Sequence, residues 1–300
     1  MSLTPVVAAS AKITPLTLLE RKQTHQPITA LTAYDYATAR LADEAGIDLL
    51  LVGESLAMVV MGLESTLPVT VDEMLHHTRA VRRGVRRAML VADMPYGSYH
   101  LSADEGVGNA MRFVKEGGAE AVKVEGPRTE LVERLVAAEI PVVGHIGLTP
   151  QSVHRMGGYK VQGKTATDYA RLRKEARDLE KAGASAVVLE GMPRELAAEI
   201  TAELTIPTIG IGAGVDCDGQ ILVFHDLVNL TFAPPARFVR HYADAAELFR
   251  NAITAYREDV VWRRYPAEDE SYHLPKSTRA AVTAEPNAVA FDAPHLRRKA

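Results

Sequence analysis

The sequence contains little cysteine, no long apolar run and no excess of basic residues. Its one cysteine, Cys217, excludes an internal disulfide and a metal site built from several thiolates. No apolar run approaches the roughly 20 residues needed to cross a bilayer, so we expect no membrane partner. The net charge of -4 gives no basis for binding nucleic acid. These absences favour an enzyme that acts on small molecules. We expect it in a reducing, cytoplasmic compartment.

A chain of 300 residues has room for one α/β barrel with short extensions at both ends. Residues 1–12 lack the basic region of a signal peptide, and we interpret them as a flexible leader. Residues 13–265 are predicted to form the barrel as a single domain. Residues 266–300 mix proline, charged residues and alanine without a strong period, which predicts a partly disordered tail.

Short β-branched runs alternate with helical patterns along the whole central part of the chain. Strands are predicted at residues 28–34, 49–53, 88–92, 121–125, 141–144, 186–190 and 207–211, with another near 220–224 or 227–230. Helices are predicted at residues 36–45, 71–83, 103–116, 130–138, 167–182, 194–203 and 236–262. This alternation is typical of a (β/α)8 TIM barrel.

Several predicted strands end in a charged residue or a histidine. These residues are Glu54, Asp93, Lys123, Glu125, His145 and Glu190. A strand buried on both faces needs only apolar residues for packing, so a carboxylate at its end points to chemistry. Parallel strands place their carboxyl ends on one face, where like charges need a cation or altered protonation to coexist. The pattern therefore predicts an active site at that face.

Glu54 and Asp93 are the best candidates for metal ligands, because both offer oxygen donors at the ends of neighbouring strands. Magnesium takes one or two carboxylates and fills its other positions with water and substrate oxygens. Alternatively, each acid could cap a following helix or pair with Arg79 or Arg82. The presence of Glu125 at the same face favours the metal site.

Lys123 and Glu125 lie two residues apart on one predicted strand, so their side chains point to the same side. One interpretation is a buried ion pair, which is costly to desolvate and often stabilises little. The functional interpretation is that Lys123 holds a substrate carboxylate or the oxygen of a developing enolate.

Glu190 ends an apolar run and suits the role of general base. The competing interpretation is an N-cap for the helix that begins at Arg194. His145 stands between glycines, where the backbone can approach a ligand closely, although a lone histidine is often structural.

Longer motifs are more specific than these single residues. The strings STLPVT, GHIGLTPQS and GGYKVQG occur in one order with DMPYGSYH, VKVEG and LEGMP. On these motifs the chain resembles the ketopantoate hydroxymethyltransferase family, continuously from about Leu19 to His273. The resemblance implies a barrel of the phosphoenolpyruvate/pyruvate type and a homodecamer. It also implies one Mg²⁺ per subunit and 5,10-methylenetetrahydrofolate as cosubstrate.

The resemblance further implies roles for individual residues. The family's metal site matches Glu54, Asp93 and Glu125. Residues matching Ser55, Asp93 and Lys123 contact the ketoacid, and we expect Glu54 and His145 to line the same site. The family's proton acceptor matches Glu190.

The implied activity is transfer of a hydroxymethyl group from 5,10-methylenetetrahydrofolate to 3-methyl-2-oxobutanoate. The product would be 2-dehydropantoate, formed through a metal-stabilised enolate for pantothenate synthesis. The family normally reads VGDSLGM where this chain reads VGESLAM, with Glu54 and Ala57 as the departures. Two alternatives therefore stay open: a related metal-dependent 2-oxoacid aldolase or lyase that does not use folate, and a catalytically silent binding protein.

Overall fold

The structure is a computed structural model that describes residues 11–283. Most of the expected leader and the end of the expected tail, residues 284–300, lie outside the described residues. Within residues 11–283, parallel strands form a closed barrel in the order β1 to β8. The strands are β1 Ile28–Thr32, β2 Leu49–Val52, β3 Met89–Asp93, β4 Ala121–Glu125, β5 Val142–Gly147, β6 Ala186–Glu190, β7 Thr208–Ile211 and β8 Gly219–Leu222. The predicted (β/α)8 barrel is confirmed.

Helices follow or interrupt the connections between the strands. They are α1 Pro15–Gln23, α2 Tyr36–Glu44, α3 Leu56–Val59, α4 Val71–Gly84, α5 Ala103–Arg112, α6 Thr129–Ala137, α7 Val153–Met156, α8 Ala166–Lys181, α9 Arg194–Glu203, α10 Phe224–Leu227, α11 Ala245–Val261 and α12 Lys276–Thr283. α5 continues into a π-helical turn at Phe113–Gly117. Short 3₁₀ turns occur at Pro150–Ser152 and Glu268–Glu270.

Alternate residues of the strands face two different cores. One buried cluster fills the barrel interior with residues such as Leu49, Leu51 and Val91, and it also contains Leu18 of α1. The other cluster lies between the sheet and the surrounding helices and includes Leu50. This alternation follows from the two-residue period of a strand. It explains why the strands read as continuous apolar runs.

The last part of the barrel differs from the sequence prediction. The eighth strand is Gly219–Leu222, so the alternative near residues 227–230 is wrong. The last helix predicted from the sequence corresponds to α11, which begins at Ala245 and not at Ala236. The backbone N–H groups of Tyr242 and Ala245 donate to the carbonyls of Leu227 and Val228, respectively, which holds the preceding segment as a loop.

The described chain forms two compact units, one ending at Ala246 and the other beginning at Glu247. This division differs from the single domain expected over residues 13–265. The second unit contains most of α11, the Glu268–Glu270 turn and α12, so part of the expected tail is helical. Inside this unit Tyr256 and Tyr265 pack edge to face, with ring centroids 5.5 Å apart. Among the described helices, none has both the length and the apolar character that crossing a membrane requires.

Asp48 joins α1 to the sheet at the amino-terminal end of the barrel. Its carboxylate accepts hydrogen bonds from Arg21 and Arg87 at 2.7 Å each, and from the backbone and hydroxyl of Thr29 at 3.0 and 2.8 Å. Burial works to raise the pKa of Asp48, but the hydrogen bonds from Thr29 and Arg87 outweigh burial and lower it. The ionised carboxylate therefore stabilises the fold.

We expect Asp48→Asn to lower the free energy of unfolding by about 2 kcal/mol at pH 7, because two arginines lose a shared partner. Since the pKa of Asp48 is lowered in the folded state, this contribution is complete above its unfolded pKa of about 4. The stabilisation by Asp48 is lost as the pH falls through the pKa that Asp48 has in the folded protein. Urea unfolding at pH 7, 5 and 3 measures the difference between variant and wild type.

Asp72→Asn is the matched control, because Asp72 makes one exposed ion pair with Arg112 and such pairs contribute little. An Asp48→Asn effect that stays constant down to pH 3 would contradict the proposed role of the ionised carboxylate.

Candidate active site

The residues predicted at the strand ends meet at the carboxyl end of the barrel. They surround a cavity of about 580 Å³, including its open mouth. The members that line it are Glu54, Ser55, Asp93, Lys123, Glu125, His145 and Glu190. Apolar side chains from Leu51, Val188, Ile211 and Ile221 complete the wall. The structure thus brings together every predicted site residue.

Glu54 and Ser55 follow β2 in a tight turn. A Cβ atom at Gly53 would lie only 2.9 Å from the hydroxyl oxygen of Ser55, so glycine permits this approach. The backbone N–H of Glu54 donates to Oδ2 of Asp93 at 3.1 Å. The hydroxyls of Ser55 and Tyr34 share a hydrogen bond of 2.8 Å. The turn therefore holds Glu54 directly beside Asp93.

Lys123 is the cation at the centre of the site. Its Nζ lies 2.7 Å from Oδ1 of Asp93 and 3.6 Å from Oε1 of Glu125. The first pair follows from the sheet register, which places Asp93 opposite Lys123 on neighbouring strands. Burial alone would lower the pKa of Lys123, but the carboxylates of Asp93, Glu125 and Glu54 raise it. Lys123 is therefore a buried ammonium ion, 4% exposed.

One lysine does not neutralise three buried acids. Burial, followed by the charges of Glu125 and Asp93, raises the pKa of Glu54 well above its usual range. Burial also raises the pKa of Asp93, although Lys123 opposes this change. Burial would raise the pKa of Glu125, but Lys123 and His145 lower it instead. Excess negative potential is concentrated at Glu54.

His145 connects the lysine to Glu190. Its Nδ1 lies 3.0 Å from Nζ of Lys123 and 3.4 Å from Oε1 of Glu125. Burial and Lys123 would lower the pKa of His145, but contacts with Glu125 and Glu190 raise it overall. Its Nε2 lies 3.2 Å from Oε2 of Glu190, at an angle that does not form a regular hydrogen bond.

Two of the competing structural interpretations are wrong, and the third, a buried ion pair of Lys123, is present. Arg79 pairs with Glu116 and Arg82 with Glu120, so neither arginine takes Glu54 or Asp93 as its partner. The residue preceding α9 is Pro193, and Glu190 instead lies beside His145. Lys123 does form a buried ion pair, but mainly with Asp93.

Sequence reasoning missed two polar residues that support the acids. Gln151 donates its side-chain amide to Glu54 at 2.7 Å, and its backbone N–H donates to Glu125 at 3.0 Å. Tyr99 donates its hydroxyl to the side-chain oxygen of Gln151 at 2.5 Å. Both belong to quoted motifs, GHIGLTPQS and DMPYGSYH, but neither ends a strand. Only the folded loops bring them to the acids.

A family model described as ketopantoate hydroxymethyltransferase matches residues 12–268 of the chain. The chain belongs to the ketopantoate hydroxymethyltransferase family. It is therefore an enzyme of the hydroxymethyltransferase type, as the sequence motifs imply. This membership supports a place in pantothenate biosynthesis.

Individual relatives agree with the family model. A protein of Koribacter versatilis named 3-methyl-2-oxobutanoate hydroxymethyltransferase is 67% identical over 91% of this chain and 93% of its own length. A protein of the same name from Gloeobacter violaceus is 58% identical over 81% of this chain and 94% of its own length. The similarity thus extends over most of both chains.

Solved structures share the barrel of this family member at low sequence identity. Phosphoenolpyruvate phosphomutase from Streptomyces platensis subsp. rosaceus has a TM-score of 0.55 at 15% identity, over 90% of this chain and 95% of that one. A 2,3-dimethylmalate lyase of the PEP mutase/isocitrate lyase superfamily has a TM-score of 0.52 at 16% identity, over 91% and 92%. These similarities establish the fold alone.

The donor set of this hydroxymethyltransferase family member fits a magnesium ion held by two acids. Among residues 11–283, no group of three or more acidic, histidine or cysteine side chains is arranged as a ready cation site. Magnesium needs only one or two carboxylates, however. Oε1 of Glu54 is buried and makes no regular hydrogen bond among the described residues. Glu125 is engaged by Lys123, His145 and Gln151, and Asp93 by Lys123 and the backbone N–H of Glu54, so Glu54 is the least engaged of the three acids.

We expect Lys123→Met to lower the free energy of unfolding by about 3 kcal/mol, because it leaves Asp93 and Glu125 buried without their cation. Urea unfolding of the metal-free protein at pH 7 measures this effect. Lys174→Met is the matched control, since Lys174 is 71% exposed and makes one surface pair with Asp178. Equal effects of the two substitutions would show that the buried ion pair contributes nothing.

Proposed function

We propose that the chain transfers a hydroxymethyl group from 5,10-methylenetetrahydrofolate to 3-methyl-2-oxobutanoate and yields 2-dehydropantoate. One observation carries the proposal: a partly exposed carboxylate, Glu190, faces the same cavity as the buried ammonium of Lys123. A base and a cation in one pocket suit removal of a proton next to a carbonyl group. The names of the close relatives support 3-methyl-2-oxobutanoate as the substrate.

The cavity has distinct places for the two halves of the ketoacid. The Lys123 ammonium and the Ser55 hydroxyl offer hydrogen-bond donors to its oxygens. Val188, Ile211 and Ile221 form an apolar wall suited to its branched carbon chain.

Glu190 is proposed as the base that removes this proton. Its side chain is 18% exposed, which is more than the buried acids near Lys123. The C–H bond electrons pass into the substrate as an enolate, whose oxygen carries the new negative charge. Lys123 is fixed by Asp93 before the reaction, so it stabilises this charge without reorganisation. When bound at Glu54 and Asp93, magnesium adds further electrostatic stabilisation of negative charge on the substrate oxygens.

The second half of the reaction forms the new carbon–carbon bond. The branched carbon of the enolate attacks the one-carbon unit of methylenetetrahydrofolate, and both bonds from that carbon to the two folate nitrogens break. Water supplies the hydroxyl group and a proton to one nitrogen, protonated Glu190 returns the other proton, and tetrahydrofolate leaves with both nitrogens as N–H. The balanced products are 2-dehydropantoate and tetrahydrofolate. The homodecamer and the cytoplasmic location expected from the sequence stay predictions.

Glu190→Gln is expected to abolish exchange of the methine proton of 3-methyl-2-oxobutanoate in deuterated water, with a loss of at least about 100-fold. The amide keeps the shape of the side chain but does not accept the proton. Proton NMR follows the exchange in the presence of Mg²⁺ without folate. Calorimetric titration of the ketoacid then shows whether binding is kept.

Glu195→Gln is the control, because Glu195 is an exposed acid in the first turn of α9. Exchange at the wild-type rate in Glu190→Gln would remove Glu190 from the mechanism. Exchange by the wild type without product on adding methylenetetrahydrofolate would instead favour an aldolase or lyase that does not use folate.

A further inference from the structure

Gln151 links two of the buried acids through different parts of the same residue. It lies in the turn Pro150–Ser152 after β5 and is 6% exposed. Its backbone N–H donates to Oε2 of Glu125 at 3.0 Å. Its side-chain Nε2 donates to Oε2 of Glu54 at 2.7 Å. The side-chain contact can therefore be removed by mutation while the backbone contact is kept.

The direction of the surrounding hydrogen bonds fixes the orientation of the Gln151 amide. The backbone N–H of Glu125 can only donate, and it donates to the hydroxyl oxygen of Tyr99 at 3.1 Å. The hydroxyl hydrogen of Tyr99 then goes to Oε1 of Gln151, at 2.5 Å. Nε2 of Gln151 must face the other way, where its two hydrogens meet Glu54 and the carbonyl of Met94.

As a result of these hydrogen bonds, the two carboxylate oxygens of Glu54 differ in their hydrogen bonding. Oε2 accepts the amide hydrogen of Gln151. Oε1 is buried and makes no regular hydrogen bond among the described residues, although the buried hydroxyl of Thr66 interacts with Glu54 in the same cavity. A flipped amide would place its own oxygen against Oε2 of Glu54 and repel it. The orientation set by Tyr99 is thus the one that holds Glu54 still.

We propose that Gln151 is a positioning residue for divalent-cation binding. Its side-chain amide, oriented by Tyr99, holds one oxygen of Glu54 and leaves the other free for the cation. The inference rests on the proposed magnesium site at Glu54 and Asp93. Side chains that orient a metal ligand typically change metal affinity by about 10- to 100-fold when they are removed.

In this chain the length of the Glu54 side chain brings its carboxylate to Gln151. Glutamate has one more rotatable bond than aspartate, so more side-chain freedom must be restrained to hold the carboxylate in one place. An aspartate would end about 1.5 Å short of the Glu54 carboxylate, which is one carbon–carbon bond length. The Gln151 amide is hydrogen-bonded to Tyr99 and Met94, so it would not move toward the shorter aspartate side chain. The contact with Gln151 is therefore specific to the longer side chain.

A double-mutant cycle tests the proposal through metal affinity. Binding of Mn²⁺ to the full chain is measured by electron paramagnetic resonance in the wild type, Gln151→Met, Glu54→Asp and the double variant. Methionine keeps the length of glutamine without its donors. We expect Gln151→Met to weaken Mn²⁺ binding at least about 10-fold in the wild type and less than about 2-fold in the Glu54→Asp background.

Tyr99→Phe is a second variant that keeps Gln151 and frees its amide to rotate, and it also removes the acceptor of the Glu125 backbone N–H. It should weaken Mn²⁺ binding in the same direction, and urea unfolding of each metal-free variant confirms that the fold is kept. The positioning role alone would be overturned by either of two results. Gln151→Met could weaken Mn²⁺ binding equally in the wild-type and Glu54→Asp backgrounds, or it could leave Mn²⁺ binding unchanged in the wild-type background. Absence of Mn²⁺ binding by the wild type would overturn the proposed metal site together with this inference.

Discussion

The buried ion pair between Lys123 and Asp93 is the constraint on which the active site depends. Three carboxylates in a water-excluded space would repel one another and take up protons if no cation lay among them. Lys123 contacts two of the acids, and its ammonium is surrounded by carboxylate charge. It therefore keeps Asp93 and Glu125 in place, while the excess negative potential remains at Glu54. Lys123 therefore allows the three acids to be buried together and leaves unbalanced negative potential at Glu54.

Buried acids at the two ends of the barrel differ in their hydrogen-bond and ion-pair partners. At the amino-terminal end, Asp48 shares its carboxylate between Arg21 and Arg87, so charge is balanced and the contact ties α1 to the sheet. At the carboxyl end, Glu54 keeps an oxygen that makes no regular hydrogen bond among the described residues. Buried carboxylates at the two ends of the barrel therefore differ in how completely their oxygens are paired.

The strand ends could be predicted from the sequence because a charged residue after an apolar run has few structural explanations. That logic found Asp93, Lys123 and Glu190 and placed them on one face. It did not find Gln151, because a polar residue in a loop is unremarkable until folding brings it to Glu54. The start of α11 was also missed, since loop hydrogen bonds from Tyr242 and Ala245 are invisible in a local pattern. Local periodicity predicts helices and strands, whereas contacts between residues distant in sequence determine the exact helix start and the loop residues of the site.

The sheet register places Asp93 opposite Lys123 and Glu125 opposite His145. Side chains alternate between the two faces of each strand, so slipping β4 by one residue would turn both Lys123 and Glu125 toward the helices. The acids left inside would then lack their cation. A barrel with this misalignment would therefore be less stable than the correctly aligned one. The charged residues of the candidate active site thus favour the observed strand alignment.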